Sequence, residues 1–534
     1  MALPRDLAAC HALIAQLIEQ LHTSQQNQQR LEHRLEQILR RMYGHSSEKL
    51  DANQMALFAG MLEALKAPAA PAAEPTPAPA PAAPAKGHGR RRLPADLPRQ
   101  RIVHELSEQE RPCPCCGKTR IVIGEELSEQ LDFEPAKLSV IEHVRLKYAC
   151  PACEKQAQSP QITTAEKPLS PIEKGLAAPG LLSYVIVSKY SDHLPLHRLE
   201  RILKRHQIDL ARSTLGDWAA QSAEALSPLY HLMVQDVLGS RILWTDDTPV
   251  DVLDPTIKNT RTGRFWVYLG DPAHPQAVFV YTPSRSRDGP MRFLTGWGKD
   301  QRVYLQADAF GGYDCIYAGL AGGQVIEVAC WAHARRYVYE ARTSDVAASA
   351  QALAYIRMLY DVEDLARQRF EQQAQAPGEL PLSAIRLALR QELAVPRLAE
   401  FKAWLDAQRG SVLPQSPMGQ AITYALNQWD ALNVYVTDGE LTIDNNASEN
   451  ALRRIAVGRA NWNFCGSDKG GATAAVLYSF IATCERHQVE PWAYLRDVLT
   501  RIPATPVSQL SQLLPHRWKK AAASASIPTA AIHA

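Results

Sequence analysis

At 534 residues, 46% of them hydrophobic, the chain is long enough for several domains and apolar enough to give them real cores. A formal net charge of +2 sets up no global field for nucleic acid, so any such contact must come from local clusters. The opening MALPRDLAACHALIAQLIEQ lacks the order of a signal peptide, and no run of about 18 apolar residues occurs, which predicts a cytoplasmic protein without a membrane span.

Residues 11–45 read as one helix. Ile14, Leu17, Leu21, Leu31, Leu35, Ile38 and Met42 fall on a and d heptad positions, interrupted by Ser24 and Gln28, and predict a dimerising coiled coil within 1–65. An Ala/Pro tether over 66–92 cannot build a core and ends in GHGRRRLP. That Arg run suits a DNA minor groove or, equally, a solvated charge run.

Residues 93–160 carry two C-x-x-C knuckles, Cys113 with Cys116 and Cys150 with Cys153. Each knuckle offers two thiolates from one tight turn, and the pair predicts a tetrahedral structural Zn²⁺ site of the zinc-ribbon kind. Cys115 lies inside the first knuckle, and Cys10, Cys315, Cys330, Cys465 and Cys484 are scattered as in a reducing cytosol.

Over 161–235 the pattern is helical, with a helix near 195–206, a break, and a helix starting near Ser213, where Ser213 and Thr214 are good N-caps. This predicts a helix-turn-helix DNA-binding unit in which Arg198, Arg201, Lys204, Arg205 and Arg212 face phosphates. From 240 the runs RILWTDDTPVDVL, GRFWVYLGD, QAVFVYTPS, RVYLQADAF and QVIEVACWA read as strands of an α/β layer. A helix-rich block follows at about 340–435, then a helix beginning in DNNASEN, two more helical stretches, and an Ala/Ser-rich tail after about 520.

Three acids stand out by placement. Asp246 reads as the end of one strand, Asp308 as the end of another before a Gly-Gly turn, and Glu449 as the first turn of a capped helix. Three gathered carboxylates repel unless cations neutralise them, which suits Mg²⁺ or Mn²⁺. Two such ions about 3.5–4 Å apart clamp the attacking and leaving oxygens of a phosphoryl transfer. The plainer readings are a turn cap for Asp246 with Asp247 as the ligand, a bond from Asp308 to Gly311-Gly312, and a surface pair between Glu449 and Arg453.

TDDTPV, QADAFGGYD, CWAHARRY and DNNASENALRRIAVGRANWNFCGSDKGG closely resemble the insertion-sequence sixty-six type (TnpC-like) transposases. RRMYGHSSEKLD, the zinc knuckles, DHLPLHRLERILKRHQIDLARSTLGDW and PWAYLRDVLTRIP extend the resemblance over nearly the whole chain. It implies an RNase H-like catalytic fold with a DDE triad, matched here by Asp246, Asp308 and Glu449, and an all-α insertion between the second Asp and the Glu. The expected architecture is then multidomain. A coiled-coil helix (1–65), a linker (66–92), a zinc domain (93–160) and a helix-turn-helix (161–235) come first. The α/β RNase H-like catalytic domain follows in two segments, 236–340 and 436–487, split by the insertion at 341–435, and a C-terminal helical tail (488–534) ends the chain.

Asp247 replaces the Glu usual in the family, and Asn450 follows Glu449 where Arg is common. The first departure leaves two adjacent acids as alternative metal ligands. Cys330 and His333 form a C-x-x-H element found in several DDE transposases, read as packing or DNA handling or else as metal binding. Arg335, Arg336, Arg453, Arg454 and Arg459 are expected near phosphates, and GSDKGG reads as a phosphate cradle or a plain turn.

The resemblance implies element-end and target DNA as partners, small accessory proteins, and a nucleoid-associated bacterial location, while the N-terminal coiled coil predicts a homo-oligomer. A catalytically silent DNA-binding protein and a structure-specific nuclease are the rival readings.

Overall fold

The computed structural model describes residues 169–518 apart from 174, 258 and 374–379, and before them Leu138, Val140, Ile141 and two short strands. The predicted coiled coil, the Ala/Pro linker, Cys113, Cys116, Cys150 and Cys153, and the tail after about 520 lie outside the described residues. The chain forms two compact units, residues 69–144 and all the rest. In the larger unit, β1 (Lys147–Tyr148) and β2 (Thr163–Thr164) pair antiparallel and bracket the segment with Cys150 and Cys153.

A six-stranded mixed sheet follows. β3 (Ile242–Leu253) pairs antiparallel with β4 (Thr260–Leu269), and β4 pairs with β5 (Ala277–Thr282). On the other edge of β3, β6 (Arg302–Gln306) runs parallel beside Ile242–Trp244, with β7 (Gln324–Val328) beyond it. The short β8 (Phe464–Cys465) runs parallel beside Asp251 and Val252 on that same edge. Between Trp244 and Asp251, β3 therefore has no strand partner on this side.

The burial of β3 explains its sequence. Its first four residues, Ile242 to Thr245, are all buried, as expected where a sheet is covered on both faces. From Thr248 onward buried and exposed residues alternate, so one face is solvated.

Asp246 does not end a strand, as the sequence suggested; it lies in mid-β3. What ends at Trp244 is the pairing with β6. Pro249 is tolerated because its carbonyl, and so its ring nitrogen, faces this partnerless edge, where Arg459 Nη1 reaches the carbonyl at 2.5 Å.

Helices α1 (Pro179–Tyr190), α2 (Leu196–Arg205) and α3 (Arg212–Leu238) precede the sheet. α2 and the turn after it match expectation, with Gln207 in the left-handed region (φ 62°). The predicted caps do not. α3 begins at Arg212 with Ala211 at the cap position and no side-chain cap bond, because Ala211 is already extended out of the turn. α3 is also a core helix, burying Leu215, Trp218, Leu226, Leu229, Met233 and Val237 along 27 residues.

Among the described residues, 331–437 hold only helices and turns: α4 (Trp331–Glu340), α5 (Val346–Gln373), α6 (Leu382–Leu389), α7 (Val395–Arg409), α8 (Pro417–Asn427) and short pieces. A π-helical turn, Arg390–Ala394, joins α6 to α7. Its fully buried Arg390 forks onto Glu363 at 2.7 and 2.8 Å and donates to the carbonyls of Tyr435, Asp438 and Leu441. The helical block is thereby fastened to the chain that leads back to the sheet.

α9 (Asn446–Trp462), α10 (Asp468–Arg486) and α11 (Pro491–Arg501) complete the unit. α10 covers the edge of β5: Ser479 Oγ and Thr483 Oγ1 accept the Phe279 and Ala277 N–H groups at 2.8 and 3.1 Å. An edge that could recruit another strand is thus closed by side chains.

Candidate active site

The partnerless stretch of β3 is where the acids meet. β3 carries Asp246 and Asp247, Asp308 follows β6, and Glu449 lies in the first turn of α9. Two buried amide side chains tie these elements together. Asn445, the N-cap residue of α9, donates from Nδ2 to Thr245 O at 2.8 Å, taking the ladder position that β6 leaves empty beside Asp246. Gln306, two residues before Asp308, donates to the carbonyls of Thr442 and Asp444 at 2.6 and 3.1 Å and accepts from Thr442 Oγ1.

The C-x-x-H element joins the same assembly. Cys330 sits at the N-cap of α4, and its Sγ accepts the Asn445 N–H at 3.2 Å. Burial holds this thiol up at about 12, so it acts as a neutral acceptor. Three residues on, His333 Nε2 lies 3.6 Å from Glu449 Oε1, and Arg336 Nη2 lies 3.7 Å from the same oxygen. Burial draws the His333 imidazole toward its neutral form. Through Cys330 the start of α4 is bonded to the start of α9, which puts His333 and Arg336 beside Glu449. Glu449 thus pairs across to α4.

The two adjacent aspartates have different surroundings, since successive strand residues point to opposite faces. Asp247 is closed off, its side chain 1% exposed, and it is held by Arg264 at 2.9 Å and by Arg285 at 2.8 Å. Arg264 reaches it diagonally, from two residues beyond its register partner Trp266. No ion pair engages Asp246 among the described residues. Burial first, then the charges of Asp308, Asp247 and Glu449, push its carboxyl up to about 8 despite a 2.7 Å bond from the Asp247 N–H. Burial also raises Asp308, against the pull of Arg285 and His333. Asp308 Oδ1 is buried without a hydrogen-bond partner.

Among the described residues, no three His, Cys, Asp or Glu side chains close tightly enough around one point to chelate an ion. The donor chemistry still suits a hard cation: the acids offer only oxygens, one of them is orphaned, and their charges oppose one another.

The expected DNA contacts fall in three groups. On α2, Arg198, Arg201, Lys204 and Arg205 are exposed while Leu199 and Leu203 are buried, so the helix shows a basic outer face. Arg212 and Ser213 are exposed and Thr214 is half-buried at the start of α3. Arg453 is exposed on α9, but Arg454 is engaged by Glu485 at 2.8 Å and Arg459 by Thr248 Oγ1 at 3.1 Å. At GSDKGG, Ser467 caps α10 by accepting the Gly470 N–H at 3.1 Å, and Asp468 is bound by Arg261 and Tyr281. The turn is thus held by its own cap and by side chains of β4 and β5.

Arg264, Arg285, Gln306 and Asn445 are the site residues that the sequence does not single out by motif. Gln306 and Asn445 did leave a signal: an amide inside an apolar strand run, and an Asn directly before a helix start.

Among the described residues, no helix is long and apolar enough to cross a membrane. Three family matches lie toward the two ends of the chain. A zinc-finger binding domain of transposase IS66 matches 110–154, the stretch holding all four knuckle cysteines. The transposase C of IS166 homeodomain matches 30–102, and the IS66 C-terminal element matches 479–516. Relatives in Sinorhizobium fredii (strain NBRC 101917 / NGR234) are uncharacterized. Protein y4hP is 33% identical over 523 residues, 92% of this chain and 89% of its own. Protein y4jD is 32% identical over 438 residues, 80% of this chain and 81% of its own. With the Transposase IS66 family model matching residues 174–473, across every acid of the site, the chain belongs to the IS66 family of transposases.

Proposed function

We propose that this transposase cuts and joins the DNA ends of its own mobile element by divalent-metal-dependent phosphoryl transfer, with Asp246, Asp308 and Glu449 as the metal-holding triad. The observation that carries this reading is the assembly around Asn445 and Gln306, which ties β3, the end of β6 and the start of α9 together beside the stretch of β3 without a strand partner. The mixed sheet, with a helical block inserted between Asp308 and Glu449, supports an RNase H-like domain interrupted by an all-α insertion.

Mg²⁺ or Mn²⁺, when bound, supplies activation of the attacking oxygen and stabilisation of the leaving one. The chain's own residues do the rest. Asp246, which lacks a cation of its own, is the better ligand of the adjacent pair, because Asp247 is already committed to Arg264 and Arg285. His333 and Arg336 hold the Glu449 carboxylate in place. The attacking group is water in cutting and a 3′-hydroxyl in joining, so no side chain needs to form a covalent intermediate.

The basic face of α2 and the zinc region, with Zn²⁺ on Cys113, Cys116, Cys150 and Cys153, are assigned to element-end DNA. The N-terminal coiled coil is assigned to pairing of protomers.

Strand cleavage of labelled element-end DNA with Mg²⁺ tests the reading, with Asp246→Ala, Asp308→Ala and Glu449→Ala beside the parent. Cleavage should vanish in each while DNA binding persists. Cleavage retained in all three variants would sink the triad assignment. A parent that binds but never cuts, with accessory proteins added, would instead favour a binding-only role.

A further inference from the structure

Arg285 lies on the loop after β5, and its guanidinium bridges Asp247 on β3 and Asp308 in the loop after β6. Its Nε donates to Asp247 Oδ1 at 3.0 Å; Nη2 lies 2.8 Å from that oxygen and 3.5 Å from Asp308 Oδ2. The guanidinium also lies over the Phe310 ring, 4.0 Å from its centroid. One cation thus spans the gap between the two acids, propped on the aromatic ring two residues beyond Asp308.

The two acids depend on it unequally. Asp247 keeps Arg264 as a second partner at 2.9 Å. Asp308 has one oxygen near Arg285 and the other buried without a partner. The Arg285 side chain is 38% exposed on its loop, so it can withdraw into solvent without disturbing the core. A hard cation taking Asp308 as a ligand meets a like charge at contact distance, and the two cannot share that carboxylate without repulsion.

We propose that Arg285 is a resident counter-ion, which neutralises Asp308 and Asp247 in the resting site and which a divalent cation must displace in order to bind. The inference rests on the metal-site reading given above. It rests also on the position of the guanidinium, which touches Asp247 and Asp308 at once.

The test is Mn²⁺ binding to the full-length protein without DNA, read from the free-ion signal in electron paramagnetic resonance. The parent is compared with Arg285→Ala, Arg285→Lys and Asp308→Asn, after thermal unfolding without added divalent metal or chelator has shown that each variant folds. Removing two partly exposed ion pairs should tighten Mn²⁺ binding about tenfold in Arg285→Ala. Arg285→Lys, a point charge without the fork, should fall between Arg285→Ala and the parent. Asp308→Asn should lose the binding. If the parent binds Mn²⁺ and Arg285→Ala binds it equally or more weakly, the counter-ion role is overturned and the metal site stands. If neither parent nor Arg285→Ala binds Mn²⁺, the metal-site reading fails and the counter-ion role falls with it.

Discussion

Two acids withdrawn from water, Glu363 in the helical block and Asp246 in the sheet, are treated in opposite ways. Glu363 receives both arms of Arg390, with Arg386 Nε at 3.6 Å, and Arg390 spends its remaining donors on three backbone carbonyls. Asp246 receives one backbone N–H and is surrounded by other acids. A buried carboxylate with a guanidinium hydrogen-bonded to each oxygen belongs to the scaffold. A carboxylate forced far above its ordinary range by burial and like charges is a candidate for chemistry. One region of the molecule holds shape, and the other holds a charge imbalance.

The contrast is broken most directly at Arg390. Arg390→Ala leaves the buried Glu363 with only the more distant Arg386 and should cost about 3–5 kcal/mol of stability, read by urea unfolding. A cost below about 1 kcal/mol would show that Glu363 is not held as described.

Asn445→Ala should come next, at about 2 kcal/mol, because it strips the buried Thr245 carbonyl of its donor. Cleavage should fall by more than the unfolded fraction explains. Equal losses of activity and folded protein would reduce Asn445 to a packing residue.

Asp246→Asn should act with the opposite sign. The folded pKa of about 8 lies above the ordinary value of 3.8, so the folded state keeps a proton that the unfolded chain has lost. Wild-type stability should therefore fall as pH rises from about 4 to 8 and level off above. Asp246→Asn should match the wild type near pH 4 and exceed it by about 1–2 kcal/mol at pH 8, allowing for solvent screening. Stability curves that stay parallel over this range would make Asp246 an ordinary acid.

The smallest effect belongs to a residue on neither side of the comparison. Ser467→Ala removes the α10 cap and should cost about 1 kcal/mol, with Mn²⁺ affinity unchanged. A change in that affinity would tie GSDKGG to the site.

Much of the strand pattern was legible because β-branched and aromatic residues mark it, and the position of Glu449 followed from the Asn-rich cap before α9. The partners of the acids were not legible. Arg285, Gln306 and Asn445 act through contacts between residues far apart in the chain, and no local rule pairs them. Asp246 reads as a strand end for a related reason: the polar run TDDTP looks like a terminus, although what stops there is one neighbour's ladder. Ser213 and Thr214 read as caps from residue type alone, whereas the path of the preceding turn put Ala211 in that role.

The late strand β8 also bears on how the protein is made. Its two residues close the far end of β3 only after the helical block and α9 have been synthesised. Until the ribosome has delivered Phe464 and Cys465, the lower edge of β3 stays open while β4 and β5 are already available for pairing. A nascent chain in that state exposes an unpaired strand edge to its neighbours on the same messenger, a known route to aggregation. Copies of the gene that stop before α9 would leave it in that state for good.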